Sequence, residues 1–439
     1  MPSSPLSPLR ESLQGLASVR RRLALIVLIA LVLRLAVTAL PSLENLIDAD
    51  HIHSWEQGNV ARALVAGHGF GSPLVSDQPS AIMPPVYPLC VAFFFKILGV
   101  HTAQSIFAVH VFDSLINALT CIPLFLLARR GFGDRMGWIA AWSWAFFPYG
   151  IYFSASWAWS THLLLFCLCW LLYLAQSLEL SPRLGLWAGF GLLMGFAGLT
   201  EPSVLMTAPF LLGLACWRLR QSGLRWFLPG LTASLVIAAT LSPWIVRNAL
   251  VFHKFIPMRD SMGLELWMGN NGQSLRWTSD NLHPLHDSRE LAAYNRMGEL
   301  AYMAQKSDEA HRYIAAHPGW YADMCLRRAI YLWTGYWSFD RAYLAEEPMD
   351  LPNIPFATAL TGFAIAGLVL LWKHSPYEAI RFAGVMMLMP AIYYFSHPEP
   401  YHMRSLDPIM VMLSGFAILC WRERARAVEA LPAKVALEV

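Results

Sequence analysis

Apolar runs long enough to cross a bilayer recur through this chain, and they leave few folds open to it. A spanning helix takes roughly 17–25 residues. Within hydrocarbon each backbone polar group must find its partner inside the protein. Ten runs are candidates: Leu23–Leu40, Thr102–Ala128, Met136–Tyr152, Thr161–Ser177, Leu184–Leu199, Val204–Trp217, Trp226–Ile245, Phe356–Trp372, Phe382–Phe395 and Leu406–Trp421. Only 14% of the 439 residues are charged and 56% are hydrophobic, too apolar for an ordinary soluble domain. The expectation is an all-α integral membrane protein, a bundle of about ten transmembrane helices.

Charge orients the bundle. Arg20-Arg21-Arg22 precede the first run, which is longer than a signal core and has no small-residue cleavage site after it, so it reads as a retained helix. Basic residues mark cytoplasmic turns. Arg129, Arg130, Arg183, Arg218, Arg220, Arg225, Lys373, Arg381, Arg422, Arg424 and Arg426 then all fall inside, with both termini cytoplasmic. Val86–Leu98 is short for a span, and if it crossed it would export Arg129, Arg130 and Arg135. It is therefore expected as an interfacial helix on the outer face, with Lys96 snorkelling. The regions are a tail at 1–22, a transmembrane domain at 23–245 with its first outer loop at 41–101, an outer segment at 246–355, further spans at 356–421 and a tail at 422–439. The outer segment carries Trp267, Trp277, Trp320, Trp333 and Trp337 and a helical stretch at Ser288–His317, which suits a small unit resting on the membrane interface.

The net charge of +3 is small and its basic residues cluster at segment ends, which excludes a nucleic-acid partner. The seven cysteines show neither metal spacing nor a disulfide framework. No Walker loop or dinucleotide glycine pattern occurs, so a soluble nucleotide substrate is not indicated.

Polar chemistry concentrates in the outer loops. Asp48, Asp50, His51, His53, Trp55 and Glu56 lie within nine residues, ahead of a helical run through Val60, Ala61, Leu64 and Val65 that glycines 67, 69 and 71 stop. A carboxylate here suits a general base, and equally the cap of the following helix. The histidines fit no common metal motif, and no metal site is expected. Glu201, Arg247, Glu399 and Arg404 reach the same face, where arginines suit either a phosphate or simple snorkelling. Asp113, inside a span, is expected to bond a neighbouring helix.

Several stretches, taken in order, resemble the GT-C class of membrane glycosyltransferases, closest to the family-39 type that includes protein O-mannosyltransferases and aminoarabinose transferases. They are Ala61-Arg62-Ala63-Leu64, Gly67-His68-Gly69-Phe70, Pro84-Pro85-Val86-Tyr87-Pro88 with Phe95-Lys96-Ile97-Leu98-Gly99, Pro243-Trp244-Ile245-Val246-Arg247-Asn248, Gly263-Leu264-Glu265-Leu266-Trp267 with Gly269-Asn270-Asn271, and Tyr401-His402-Met403-Arg404 with Asp407-Pro408. The resemblance implies a GT-C-like bundle with interfacial helices in the first outer loop. It also implies a polyprenyl-phosphate-linked sugar as donor, and transfer on the non-cytoplasmic face of a bacterial inner membrane. Its catalytic acid falls in the first outer loop, on Glu56 by spacing or Asp50 by residue type; the usual Asp-Glu pair is absent.

The expected reaction is inverting transfer to a hydroxyl of a lipid, glycan or protein acceptor. Glu56 or Asp50 would act as base, Arg247 and Arg404 would hold the donor phosphate, and Tyr87, His53, Glu201, Asn270 and Tyr401 would contact substrate. No cofactor is required when arginines neutralise the phosphate, and a divalent metal remains compatible. The competing reading is a polytopic transporter or lipid flippase, which would want charges and broken helices at mid-membrane.

Overall fold

The computed structural model describes residues 7–39, 55–74, 78–272, 282–346, 350–397 and 400–435. Asp48, Asp50, His51, His53, Trp277 and Glu399 lie outside them. Among the described residues the chain is helical, and its only bridge is an isolated one between Gly71 and Pro79.

The chain opens with α1 (Ser7–Thr38), then α2 (Glu56–Val65) and α3 (Val86–Leu98). The expected Thr102–Ala128 run is then divided at Thr120 into α4 (Ala103–Leu119) and α5 (Cys121–Phe132). A return leg follows as α6 (Asp134–Ala145) and α7 (Pro148–Ser156), divided before Pro148. Next come α8 (Thr161–Leu178), α9 (Leu184–Thr200), a 3-10 turn Pro202–Thr207, α10 (Ala208–Gln221) and α11 (Phe227–Phe252). The segment between the last two groups of spans folds as α12 (Met262–Gly269), α13 (Ser288–Met297), α14 (Glu299–Ala316), α15 (Pro318–Thr334) and α16 (Arg341–Glu346). The chain then finishes with α17 (Asp350–His374), α18 (Pro376–Leu388), α19 (Ala391–Phe395), a turn Pro400–Leu406 and α20 (Asp407–Val435).

Six of these stretches are long and apolar enough to cross a membrane by themselves, and Val86–Leu98 and Leu184–Thr200 are shorter apolar helices. Small residues bring the long helices close. A Cβ on Gly191 of α9 would sit 2.6 Å from the Ala233 carbonyl oxygen of α11, so glycine there allows near backbone contact. Trp144, Trp187, Phe190 and Phe382 fill the interior.

One polar seam crosses that interior. Arg34 is fully buried in α1; its Nε donates to Asn117 Oδ1 at 3.0 Å and its Nη atoms donate to the carbonyls of Ala30, Trp144 and Ala145. The Tyr87 hydroxyl of α3 donates to Asp113 of α4 at 2.6 Å, so Asp113 does bond a neighbouring helix.

The two ends of the bundle differ. The 18-residue α8 is about 27 Å long; Trp159 lies just before its start and Glu179 caps its end. At the Glu179 end, Arg381 pairs with Glu179 and Glu378, Arg218 lies 3.6 Å from Glu179, and Gln176 donates to Glu378 at 3.0 Å. At the Trp159 end gather the first loop, Glu201, and α12 to α15. The expected continuous helix over Ser288–His317 is instead two, because Gly298 takes φ +78 between them. A glycine there turns the chain at little steric cost.

Candidate active site

The site is built at the Trp159 end, starting with α2. Trp55 anchors its start by donating from Nε1 to the Ala158 carbonyl at 2.9 Å. The indole lies over Gly58, where a Cβ would come within 2.4 Å of the ring. This close approach fixes the first turn, where Glu56 stands without a side-chain cap on the helix. Glu56 Oε1 lies 3.5 Å from His283 Nε2, and its side chain is 15% exposed.

Across from Glu56 stands Arg259, in the loop between α11 and α12. Its Nε donates to the Ile82 carbonyl at 2.8 Å. That leaves its two Nη atoms facing carboxylates, Nη1 at 3.8 Å from Glu201 and Nη2 at 3.4 Å from Glu265. Glu265 in turn lies 3.5 Å from His397 Nδ1. The His402 ring stacks on Tyr393 at 3.7 Å and 7°.

These neighbours set different protonation states. Burial raises the Glu201 carboxyl, and the charge of Glu265 adds to this while Arg259 opposes it. For Glu265 burial pulls upward too, but the hydrogen bond from His397 and the charge of Arg259 win and hold it at about 2. Burial disfavours charge on Arg259, yet the two carboxylates outweigh it and its pKa rises. At neutral pH the site therefore contains an assured cation, one firmly ionised carboxylate and a second carboxyl that takes a proton more readily.

Two adjoining cavities meet at this group. The first, about 200 Å³, is bounded by Glu56, Trp157, Trp159, His283 and His286. The second, about 250 Å³, is more apolar and bounded by Pro202, Met206, Pro257, Met262 and Ile392. Glu201, Arg259, Ser261, Glu265 and His402 line both. Met206 and Met262 are also among the exposed apolar side chains of the surface, so the second cavity borders the outside of the bundle.

Of the residues singled out from sequence, Glu56 and Glu201 line the first cavity. Asp50 and His53 lie outside the described residues, as does the side chain of Tyr401. Tyr87 is fully buried against Asp113, away from both cavities. Asn270 is buried and lines neither cavity, donating to the Leu266 and Phe395 carbonyls and accepting from Arg328 at 3.1 Å. Arg247 donates to the Ser80 carbonyl at 2.7 Å and the Phe70 carbonyl at 3.0 Å, and its guanidinium lies over Phe70 and Trp244. Arg404 lies 3.4 Å from Asp407 and stacks over Tyr149 at 4.3 Å. Neither arginine is among the residues bounding the two cavities.

Sequence reasoning passed over Arg259 and the pairing of Glu265 with His397. The available signal was faint: Met258-Arg259-Asp260 is a charged step just ahead of the Gly263–Trp267 stretch. Among the described residues, no three His, Cys, Asp or Glu side chains come together as a metal site.

Comparison with known proteins agrees with the resemblance read from the sequence. Residues 82–246 match the profile of the dolichyl-phosphate-mannose-protein mannosyltransferase family. No curated protein sequence matches the chain. Among solved structures, the Archaeoglobus fulgidus oligosaccharyltransferase in its apo form is 12% identical at a TM-score of 0.53, over 94% of this chain and 52% of that one. The same archaeon's oligosaccharyltransferase AglB, in complex with an inhibitory peptide and a dolichol-phosphate, is 13% identical at 0.53, over 95% and 52%. This chain thus spans about half the length of the oligosaccharyltransferases it matches. The fold is shared with these oligosaccharyltransferase structures, a helical bundle with several helices long and apolar enough to cross a membrane.

Proposed function

We propose that this chain is a membrane glycosyltransferase that moves a sugar from a polyprenyl-phosphate donor to an acceptor hydroxyl on the outer face of the membrane, with inversion. The observation that carries the reading is the placing of Arg259 in the wall shared by a polar, tryptophan-lined cavity and an apolar one. A lipid-linked sugar has the same three parts in the same order. The sugar occupies the cavity of Trp157 and Trp159, the phosphate lies at Arg259, and the first prenyl units pass along Met206, Pro257 and Met262.

In the reaction the acceptor oxygen attacks the anomeric carbon and the bond from that carbon to the phosphate oxygen breaks. Glu56 takes the acceptor's proton, with His283 orienting the carboxylate. The electron pair leaves with the phosphate, which gains charge as it departs. Arg259 stabilises that charge most when it is greatest, which lowers the barrier rather than only tightening binding. The family similarity, and the dolichol-phosphate carried by the AglB complex, support a lipid-phosphate donor. A divalent metal is not needed for this sequence of events.

The test is turnover of polyprenyl-phosphate sugars by purified protein in detergent. Glu56→Gln should lower kcat by roughly 10²–10⁴-fold, the usual contribution of a general base, while the protein stays monodisperse. Near-native kcat in that variant would remove Glu56 from the reaction. Failure of the native protein to consume any lipid-linked sugar would sink the whole reading.

A further inference from the structure

We propose that Glu299 is a positioning residue for Arg259, acting through the backbone of Ala81 and Ile82. The functional consequence rests on the reading of Arg259 as the donor-phosphate ligand. Glu299 begins α14 and is 5% exposed. Its Oε1 accepts from the Ala81 amide at 2.7 Å, and its Oε2 accepts from the Tyr294 hydroxyl at 3.1 Å. On the other side of the same two residues, the Ala81 carbonyl accepts from the Asp260 amide at 3.1 Å and the Ile82 carbonyl accepts from Arg259 Nε at 2.8 Å. The stretch from Ser80 to Met83 thus lies between the carboxylate and the guanidinium.

That stretch has no regular structure of its own. Pro84 and Pro85 follow it, and neither offers an amide to a ladder. Its path is imposed by what grips it: Arg247 on the Ser80 carbonyl, Glu299 on the Ala81 amide, and the 259–260 backbone and side chain on the next two carbonyls. The Nε bond matters most for chemistry, because it fixes the plane of the guanidinium and so the direction of both Nη atoms. Release the Ala81 amide and the Ile82 carbonyl can swing, and the guanidinium loses its bearing toward the cavities. Glu299 touches neither cavity, so its effect on the site is transmitted rather than direct.

The experiment compares the full chain with Glu299→Ala, Glu299→Gln, Arg259→Ala and the double variant Glu299→Ala/Arg259→Ala, in detergent. Binding of a polyprenyl monophosphate is read by tryptophan fluorescence, and melting temperature is measured without it. Glu299→Ala should weaken binding about tenfold, as for loss of one buried charge-assisted bond. Glu299→Gln, whose amide oxygen still accepts from Ala81, should restore most of it. The double variant should bind no more weakly than Arg259→Ala alone, since a residue acting through another adds nothing once that other is gone. Where Arg259→Ala itself weakens binding, native-like binding in Glu299→Ala, or additive losses in the double variant, would overturn the proposal. Non-additive melting with unchanged binding in Arg259→Ala would leave the positioning intact and sink only the phosphate reading of Arg259. Additive melting with unchanged binding in Arg259→Ala would sink both.

Discussion

A guanidinium at residue 259 makes three directed contacts that an ammonium cannot make together: one to the Ile82 carbonyl and one toward each of Glu201 and Glu265. Arg259→Lys should therefore lose most turnover, and Arg259→Ala more, with donor binding weakened in both. Equal activity in the lysine variant would mean that only charge matters there. Residue 404 carries the opposite expectation. Its arginine packs on Tyr149 and pairs with Asp407, so Arg404→Lys should lower the melting temperature while leaving donor binding near native. Glu265 gives a pH signature. Its folded pKa of about 2 lies below the 4.5 of an unperturbed glutamate, so its stabilising effect is present above about pH 4.5 and is lost as pH falls toward 2. Thermal melts across that window should steepen their decline in native protein and flatten in Glu265→Gln. Glu56 was legible from sequence because it stands in a crowd of polar residues beside a span. Arg259 was not, because a single arginine in a loop has no pattern; its partners at 82, 201 and 265 come together only through folding.

Among the helices, legibility followed periodicity and length. Thr161–Ser177 and Leu184–Leu199 were readable almost to the residue, since nothing within them interrupts the apolar run. The division of the Thr102–Ala128 run at Thr120 was missed, although Pro123, which has no amide to offer the Leu119 carbonyl, marks the place. The helix pair at Ser288–His317 was read as one because Gly298 permits a turn without demanding it. Close approach of elements is also invisible before folding. A Cβ on Gly263 of α12 would sit 2.0 Å from the Met303 carbonyl oxygen of α14. Backbone cannot yield as a side-chain tip does, so Gly263→Ala should push the two helices apart and move Glu265 with α12. The expected result is a lower melting temperature together with reduced turnover per folded molecule. A variant with native melting and activity would show that the helices have room the structure does not display.

At the scale of the whole molecule, the arginine clusters predict that the cavity end faces outward. Single cysteines replacing His68 and Ala316, on a cysteine-free background, should react with an impermeant maleimide added outside intact cells, and one replacing Arg220 should react only after permeabilisation. The reverse pattern would invert the topology and place the reaction in the cytoplasm. The far end has a consequence of its own, in the order of events during synthesis. Glu179 is joined by Arg218 soon after it is made, but its closest partner, Arg381, lies 202 residues later in the chain. At a translation rate of about 5–20 residues per second, that partner emerges roughly 10–40 s afterwards. During this interval the half-built bundle holds an acidic group with an incomplete ion cluster at the membrane boundary. Arrival of α18 completes the cluster, so the far end of the bundle closes only with the last spans, and a nascent chain truncated before them leaves Glu179 without Arg381.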